Sequence, residues 1–256
     1  MKHLRGYNLF LEQRLIGYSQ QDYLKSIELY HVGDHIYAVK IKDGHSRAML
    51  FMRPQEFYES AFEEIIKKQF KTSRFMNMYK QHYGKQEFTY GDDWSGFNIP
   101  SEVLEECMFN IESDDINTYD KVMISIIDSI KKLEGDNKYY LLGVDELNND
   151  LLEHEFAHAM YYTLPEYKIT LNELTSKCDP IIRDMMYECI TKYGYADHVL
   201  PDEMQAYMST GLGEVMEEMN IPNIKDEMEK YREVFEEYYS ESLYTSPLKI
   251  DISFNI

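Results

Sequence analysis

The segment His154-Glu155-Phe156-Ala157-His158 holds the residues of this chain that are best suited to chemistry. On an α-helix, residues four positions apart lie one above the other, so His154 and His158 can direct their imidazole nitrogens toward one point. A single metal ion can therefore bind both. Glu155 lies about one hundred degrees around the helix from His154, which places its carboxylate beside the open coordination position of that metal. The pattern predicts a zinc site with a general base next to it.

A third zinc ligand must come from elsewhere, because a catalytic zinc ion usually has three protein ligands. The residues after His158 provide neither the glycine and third histidine of the metzincin pattern nor the inverted H-x-x-E-H order. We expect Glu203 to be this ligand, because it falls in the first turn of a later helix and the small Ala206 would let that helix approach closely. Glu166 and Glu173 are alternatives, although each follows the motif so directly that the chain would need a tight path back to the metal.

Two helices must position these residues. Apolar residues at helical spacing give the motif helix one apolar side and leave the two histidines to share another, and Pro165 should end this helix. A buried strand is expected just upstream, over Lys138–Val144. The ligand helix should cover Leu200–Met208, with Pro201 at its first position and acidic residues in its first turn.

The N-terminal part shows a different pattern. From Ser26 to Arg53, polar residues alternate with apolar and β-branched ones, and Gly-Asp and Asp-Gly pairs punctuate the segment, so an antiparallel meander of about three strands is expected. Pro54 should end the third strand. Apolar residues at helical spacing then predict one long amphipathic helix from Phe57 to Tyr83.

The remaining segments are mostly helical, apart from the irregular stretch Gly84–Pro100, which contains the only tryptophan. This stretch predicts an ordered loop that either covers a cleft as a lid or simply packs against the core. Helices are expected directly after Pro100, over Tyr119–Leu133, over Leu171–Lys192 with a break at Pro180, and over Asn223–Ser242.

Together these elements predict an α+β fold, in which a small antiparallel or mixed sheet packs on the motif helix and the C-terminal half is mostly helical. We expect residues 1–256 to form one catalytic unit. Within it, residues 1–83 would form a part made of the meander and the long helix, and residues 84–256 would form the part with the metal site.

Composition limits the classes of partner. The formal net charge is -20, from 26 basic and 46 acidic residues, so the protein should repel nucleic acid and anionic membranes and attract cationic ligands, including a basic protein partner. The three cysteines are too few and too scattered for a disulfide framework, and neither a signal segment nor a membrane span is expected. A cytoplasmic protein is expected.

The motif residues resemble those of the HExxH zinc metallopeptidases, specifically the gluzincin type of the zincin fold, in which a Glu from a downstream helix completes the site. The resemblance covers roughly Tyr139–Gly211 and implies hydrolysis of a peptide or protein substrate by a zinc-activated water, with Glu155 as general base. The Glu-x-x-x-Asp pattern of thermolysin-like enzymes is not met, because Tyr207 stands at the Asp position, and this leaves the partners of the ligand histidines unassigned. The Tyr-Gly turn before the ligand helix is more similar to the lethal-factor type, which implies that Tyr195 or Tyr193 donates a hydrogen bond to the developing oxyanion.

Two other hypotheses compete with a general peptidase. A binding or immunity-type protein could keep a zincin scaffold with a structural metal, or with none, and a closed site with four protein ligands would favour this alternative. A peptidase could also act only on a basic protein that docks on its acidic surface.

Overall fold

The structure of the protein is a computed structural model, which describes residues 27–192, 195, 197–212 and 221–248. The strands are β1 (Glu28–Gly33), β2 (Ile36–Lys40), β3 (Phe97–Pro100), β4 (Tyr140–Val144) and β5 (Ser246–Leu248). They form one sheet in the order β3-β4-β2-β1-β5, in which β2 and β4 are parallel and the other neighbours are antiparallel. The predicted α+β class is confirmed, with a mixed sheet.

Helices make up most of the described chain. They are α1 (Gly44–Glu59), α2 (Thr72–His82), α3 (Tyr90–Asp93), α4 (Ser101–Phe109), α5 (Thr118–Glu134), α6 (Asp150–Thr163), α7 (Pro165–Lys177), α8 (Pro180–Lys192), α9 (Leu200–Thr210) and α10 (Ile224–Ser242), with a 3₁₀ turn at Asp197–Val199. Within these residues, no helix combines the length and the apolar character that a bilayer span requires.

The prediction of a third strand in the meander is wrong, because helix α1 occupies that segment. The Asp43 carboxylate caps the helix by accepting a hydrogen bond from the Ser46 backbone N–H at 2.8 Å. Helix α1 is buried on nearly every side, so its sequence carries no helical period, and even Arg53 is buried against Asp120. Pro54 lies inside the helix, where the surrounding core compensates for the backbone hydrogen bond that a proline removes.

Three other boundaries also differ from the predictions. The long helix over Phe57–Tyr83 is wrong, since turns separate α1 from α2 and Lys67 has a left-handed φ of 54° that no helix accommodates. The expected loop Gly84–Pro100 contains the short helix α3 and the strand β3. The helix expected over Leu171–Lys192 begins earlier and is two helices, α7 and α8, with the expected break at Pro180.

The predictions around the motif are confirmed: strand β4, helices α4, α5, α6, α9 and α10, and the end of α6 before Pro165 all lie where expected within a few residues. Strand β5, which pairs with β1, was not foreseen. The parts 1–83 and 84–256 share the sheet, because β2 pairs with β4.

The sheet lies between two layers of helices. On β2, Tyr37 and Val39 belong to the apolar cluster formed with α1, α4 and α5, whereas Ile36 and Ala38 belong to the cluster formed with α6 to α10. Helix α6 contacts β4 and β3 on one side and α9 on another. The motif helix is therefore fixed between the sheet and the predicted ligand helix.

Candidate metal centre and cleft

Helix α6 presents the motif as predicted. Asn149 caps the helix, since its side chain accepts a hydrogen bond from the Leu152 backbone N–H at 3.1 Å. Leu152 and Phe156 are buried in the cluster beneath the sheet. This packing leaves His154 and His158 on the side of the helix that contacts α9, with their ring centroids 5.1 Å apart.

Helix α9 brings Glu203 to the two histidines. Its first turn contains Pro201, Asp202 and Glu203, and Ala206, one turn further on, is fully buried where the two helices pack. One ligand atom from each of His154, His158 and Glu203 can be chosen so that all three lie within 4.8 Å of one another. Among the described residues this is the one group of its kind.

The Glu203 carboxylate has unused hydrogen-bonding capacity beside the two histidines. Its Oε2 atom is buried and has no hydrogen-bond partner, and its Oε1 atom lies 3.7 Å from Nε2 of His158, too far for a hydrogen bond. Two ligand atoms that each lie about 2.1 Å from a tetrahedral zinc ion are separated by about 3.4 Å. This is close to the 3.7 Å between Nε2 of His158 and Oε1 of Glu203. Two imidazole nitrogens and one carboxylate are donors that suit zinc.

The outer nitrogens of both histidines are engaged, which leaves the inner nitrogens free. Nδ1 of His158 donates to the Asp202 carboxylate at 2.9 Å. Nδ1 of His154 lies 3.0 Å from Oγ1 of Thr210, and because that hydroxyl gives its only proton to the Ala206 carbonyl oxygen at 2.8 Å, it must accept from the histidine. With one proton on each ring, Nε2 carries the lone pair that a metal requires; His158, whose pKa is raised, would lose its second proton on binding a metal.

The alternatives to Glu203 lie outside this cluster. Glu166 and Glu173 are exposed on α7, and Glu173 forms an ion pair with Lys177 at 3.2 Å. Tyr207, which occupies the position of the thermolysin-like Asp, packs its ring on His154 at a centroid distance of 4.7 Å. The histidine partners that the sequence left unassigned are Asp202, directly before Glu203, and Thr210, two turns after it. Helical spacing places Thr210 on the same face as Glu203 and was a usable signal, but it does not point to the adjacent Asp202.

Glu155 is held in the same cleft by residues of β3 and the segment before it. Its Oε2 atom accepts a hydrogen bond from Nδ2 of Asn98 at 2.8 Å, and its carboxylate lies against the backbone of Gly96. Burial raises the pKa of Glu155, while His158 and the Asn98 hydrogen bond oppose this shift. No feature of the sequence pointed to Asn98, which is far from the motif in the chain.

Carboxyl groups outnumber cationic groups around His154, His158 and Glu203, and this shifts the pKa values of the cluster. Burial lowers the pKa of His154 to about 3, so this ring is neutral and available as a ligand. Burial also lowers the pKa of His158, but Asp202 and Glu203 outweigh burial and raise it overall. Burial and the Glu203 carboxylate raise the pKa of Glu59, another residue of the cleft that sequence reasoning missed. Several carboxylates thus converge where a cation would be stabilised.

Tyr195 lines the cleft together with the three candidate ligands and Glu155. Burial raises the pKa of its hydroxyl well above the usual value, so the group stays protonated and can donate. The ring of Trp94 lies edge-on to Tyr195 at 6.3 Å, and both line the cleft. Tyr193, the other candidate oxyanion donor, lies outside the described residues.

Comparison of the chain with protein-family models, with curated proteins and with solved structures finds no match in any of the three. The functional interpretation therefore depends on the residues of this site alone.

Proposed function

We propose that the protein is a zinc-dependent peptidase of the gluzincin type, with a zincin-like arrangement of its motif helix and ligand helix. One observation carries the proposal: His154, His158 and Glu203 converge within 4.8 Å, and Glu155 opens into the same cleft. These three residues would hold the zinc ion. Bound zinc supplies Lewis acidity, which activates water and polarises a carbonyl group.

Glu155 is suited to move the proton in this reaction. As a carboxylate it accepts a proton from the attacking water, and as a carboxylic acid it returns that proton to the leaving amine. Its buried position, which raises its pKa, favours the second step. Tyr195, which lines the cleft, would donate a hydrogen bond to the oxygen that becomes negatively charged.

A peptide substrate is favoured by the strand that borders the cleft. Strand β3 is at the edge of the sheet, and among the described strands it pairs only with β4. Phe97 and Asn98 of this strand line the cleft. An extended peptide can add to a sheet edge through main-chain hydrogen bonds, and because all four residues of β3 are buried, it would have to displace the groups that now cover this edge.

A basic substrate is favoured by charge. The net charge of -20 attracts cationic proteins at long range. Cleavage of a basic peptide should therefore slow as ionic strength rises, whereas cleavage of a neutral peptide of the same length should change little.

The test combines metal analysis with one substitution. We expect one zinc per chain in the purified protein, and cleavage of members of a fluorogenic peptide library. Glu155→Gln should keep the zinc and lower turnover by about 10²- to 10⁴-fold. Glu153→Gln, on the same helix but paired with Arg232, is the matched control and should keep its turnover.

Three results would contradict the proposal. If the protein holds no zinc after loading, the proposed metal site is wrong. If Glu155→Gln keeps full turnover, the proposed role of Glu155 as general base is wrong. A wild-type protein that binds zinc tightly but cleaves no library peptide would favour the non-catalytic binding protein.

A further inference from the structure

We propose that Asn98 is a positioning residue, which holds the Glu155 carboxylate in the orientation needed for proton transfer. This inference rests on the proposed peptidase function and assigns a role to a residue outside the zinc motif. The observation behind it is a pair of hydrogen bonds that runs from β4 through β3 to the motif helix.

The orientation of the Asn98 side chain is determined by its two partners. Its Oδ1 atom accepts a hydrogen bond from the Tyr140 hydroxyl at 2.6 Å, and its Nδ2 atom donates to Oε2 of Glu155 at 2.8 Å. A flipped amide would face the carboxylate with its own oxygen and lose both bonds. The carboxylate therefore receives a donor whose direction is fixed.

The other side of the Glu155 carboxylate is confined by backbone. It lies against Gly96, in the segment that leads into β3. Arg47 holds this segment, since its guanidinium donates to the Ser95 carbonyl oxygen at 2.7 Å and to the Ile41 carbonyl oxygen at 2.5 Å. Strand pairing fixes Asn98 itself opposite Leu142 of β4.

These contacts to the Glu155 carboxylate matter because a glutamate side chain has three torsions and would otherwise sample several orientations. A proton acceptor must lie within hydrogen-bonding distance of the attacking water, and small misplacements reduce the rate steeply. Asn98 restricts the carboxylate without being placed to bind zinc or the reacting atoms. Its loss should thus reduce kcat and leave substrate binding intact.

The experiment compares substitutions of increasing severity in the zinc-loaded protein. Asn98→Ala should lower kcat by about 10- to 100-fold and leave KM and the Kd for zinc within about twofold. Asn98→Asp keeps the shape of the side chain but places a second carboxylate beside that of Glu155. Because the two carboxylates repel each other, kcat should fall further than in Asn98→Ala. Tyr140→Phe, which frees the amide, should lower kcat less. Asn110→Ala, at an exposed asparagine, is the control and should change nothing.

A second readout does not depend on turnover. The side-chain amide resonances of Asn98, assigned by their loss in Asn98→Ala, should move in Glu155→Gln, whereas those of Asn110 should not. If they stay in place, the hydrogen bond is absent and the inference is overturned, whether or not the wild type is active.

Two kinetic outcomes would also overturn it: an Asn98→Ala variant with wild-type kcat, or a fall in kcat that is matched by loss of zinc or of folding in both Asn98→Ala and Asn98→Asp. If the wild type binds zinc and cleaves no peptide, the proposed function fails, and the amide resonances still decide the role of Asn98.

Discussion

Gly96→Ala should slow the proposed reaction by displacing one carboxylate. A β-carbon at Gly96 would lie 2.8 Å from Cδ of Glu155 and 2.6 Å from Cδ1 of Leu151, and closer still to the Glu155 carboxylate oxygen. Ordinary van der Waals contact begins at 3.4 Å, so the carboxyl carbon must retreat from 2.8 Å by at least about 0.6 Å, and the closer carboxylate oxygen must move further, by more than about 1 Å. The φ of Gly96 lies outside the left-handed region, so the effect is steric.

The expected fall in kcat follows from how far the Glu155 carboxylate moves. A misplacement of about 1 Å at a reacting group costs roughly 10²-fold in rate, so we expect kcat to fall by about 10- to 100-fold. The colliding atoms are the ends of side chains that can turn aside, so the free energy of unfolding should fall by only about 1–2 kcal/mol. None of the three candidate ligands is touched, so zinc should be retained.

The assay is steady-state cleavage of the best library peptide, with zinc content and urea unfolding measured on the same samples. Gly44→Ala is the matched control, because a β-carbon there meets its nearest neighbours at 3.4 and 3.8 Å. Wild-type kcat in Gly96→Ala would refute the placement of Glu155, and loss of zinc would show that the substitution acts on the metal cluster instead.

Three further predictions test other parts of the site. Asp202→Asn removes the carboxylate that accepts from His158 and should weaken zinc binding by about 10- to 100-fold in competition with a chelator; unchanged affinity would contradict the assigned role. Tyr195→Phe should lower kcat by about 10²-fold with KM unchanged, and an unaffected kcat would exclude it as the oxyanion donor. Burial raises the pKa of Glu56 from 4.5 to about 7, so its contribution to stability is complete below pH 4.5 and is lost as pH rises through about 7. Glu56→Gln should flatten this part of the profile and be more stable than wild type near pH 8, by on the order of 3 kcal/mol in urea unfolding, and parallel profiles would refute it.

The sequence was most informative where local signals mark a helix. The spacing of the motif and Pro165 mark α6, and proline and acidic residues mark the start of α9, so the approach of Glu203 to the two histidines could be predicted. Helix α1 is buried nearly all round and has no such marks, and its residues were therefore assigned to a strand.

Other contacts between distant segments could not be predicted. Asn98 and Glu59 reach the cleft only because β3 pairs with β4 and α1 packs beside β3, and neither arrangement leaves a local pattern in the sequence. Asp202 and Thr210 are a different case. They lie on the ligand helix at spacings that were visible, but their partners depend on how α9 crosses α6, which periodicity alone does not specify.

Helix α9 contributes to the cluster through several residues on one rigid body. Asp202, Glu203, the Ala206 carbonyl and the Thr210 hydroxyl all belong to its eleven residues, whereas both histidines belong to α6. A slip of α9 along its axis by one residue, about 1.5 Å, would misalign the carboxylate ligand and both histidine acceptors at once. The proposed site would thus be assembled or lost as a unit.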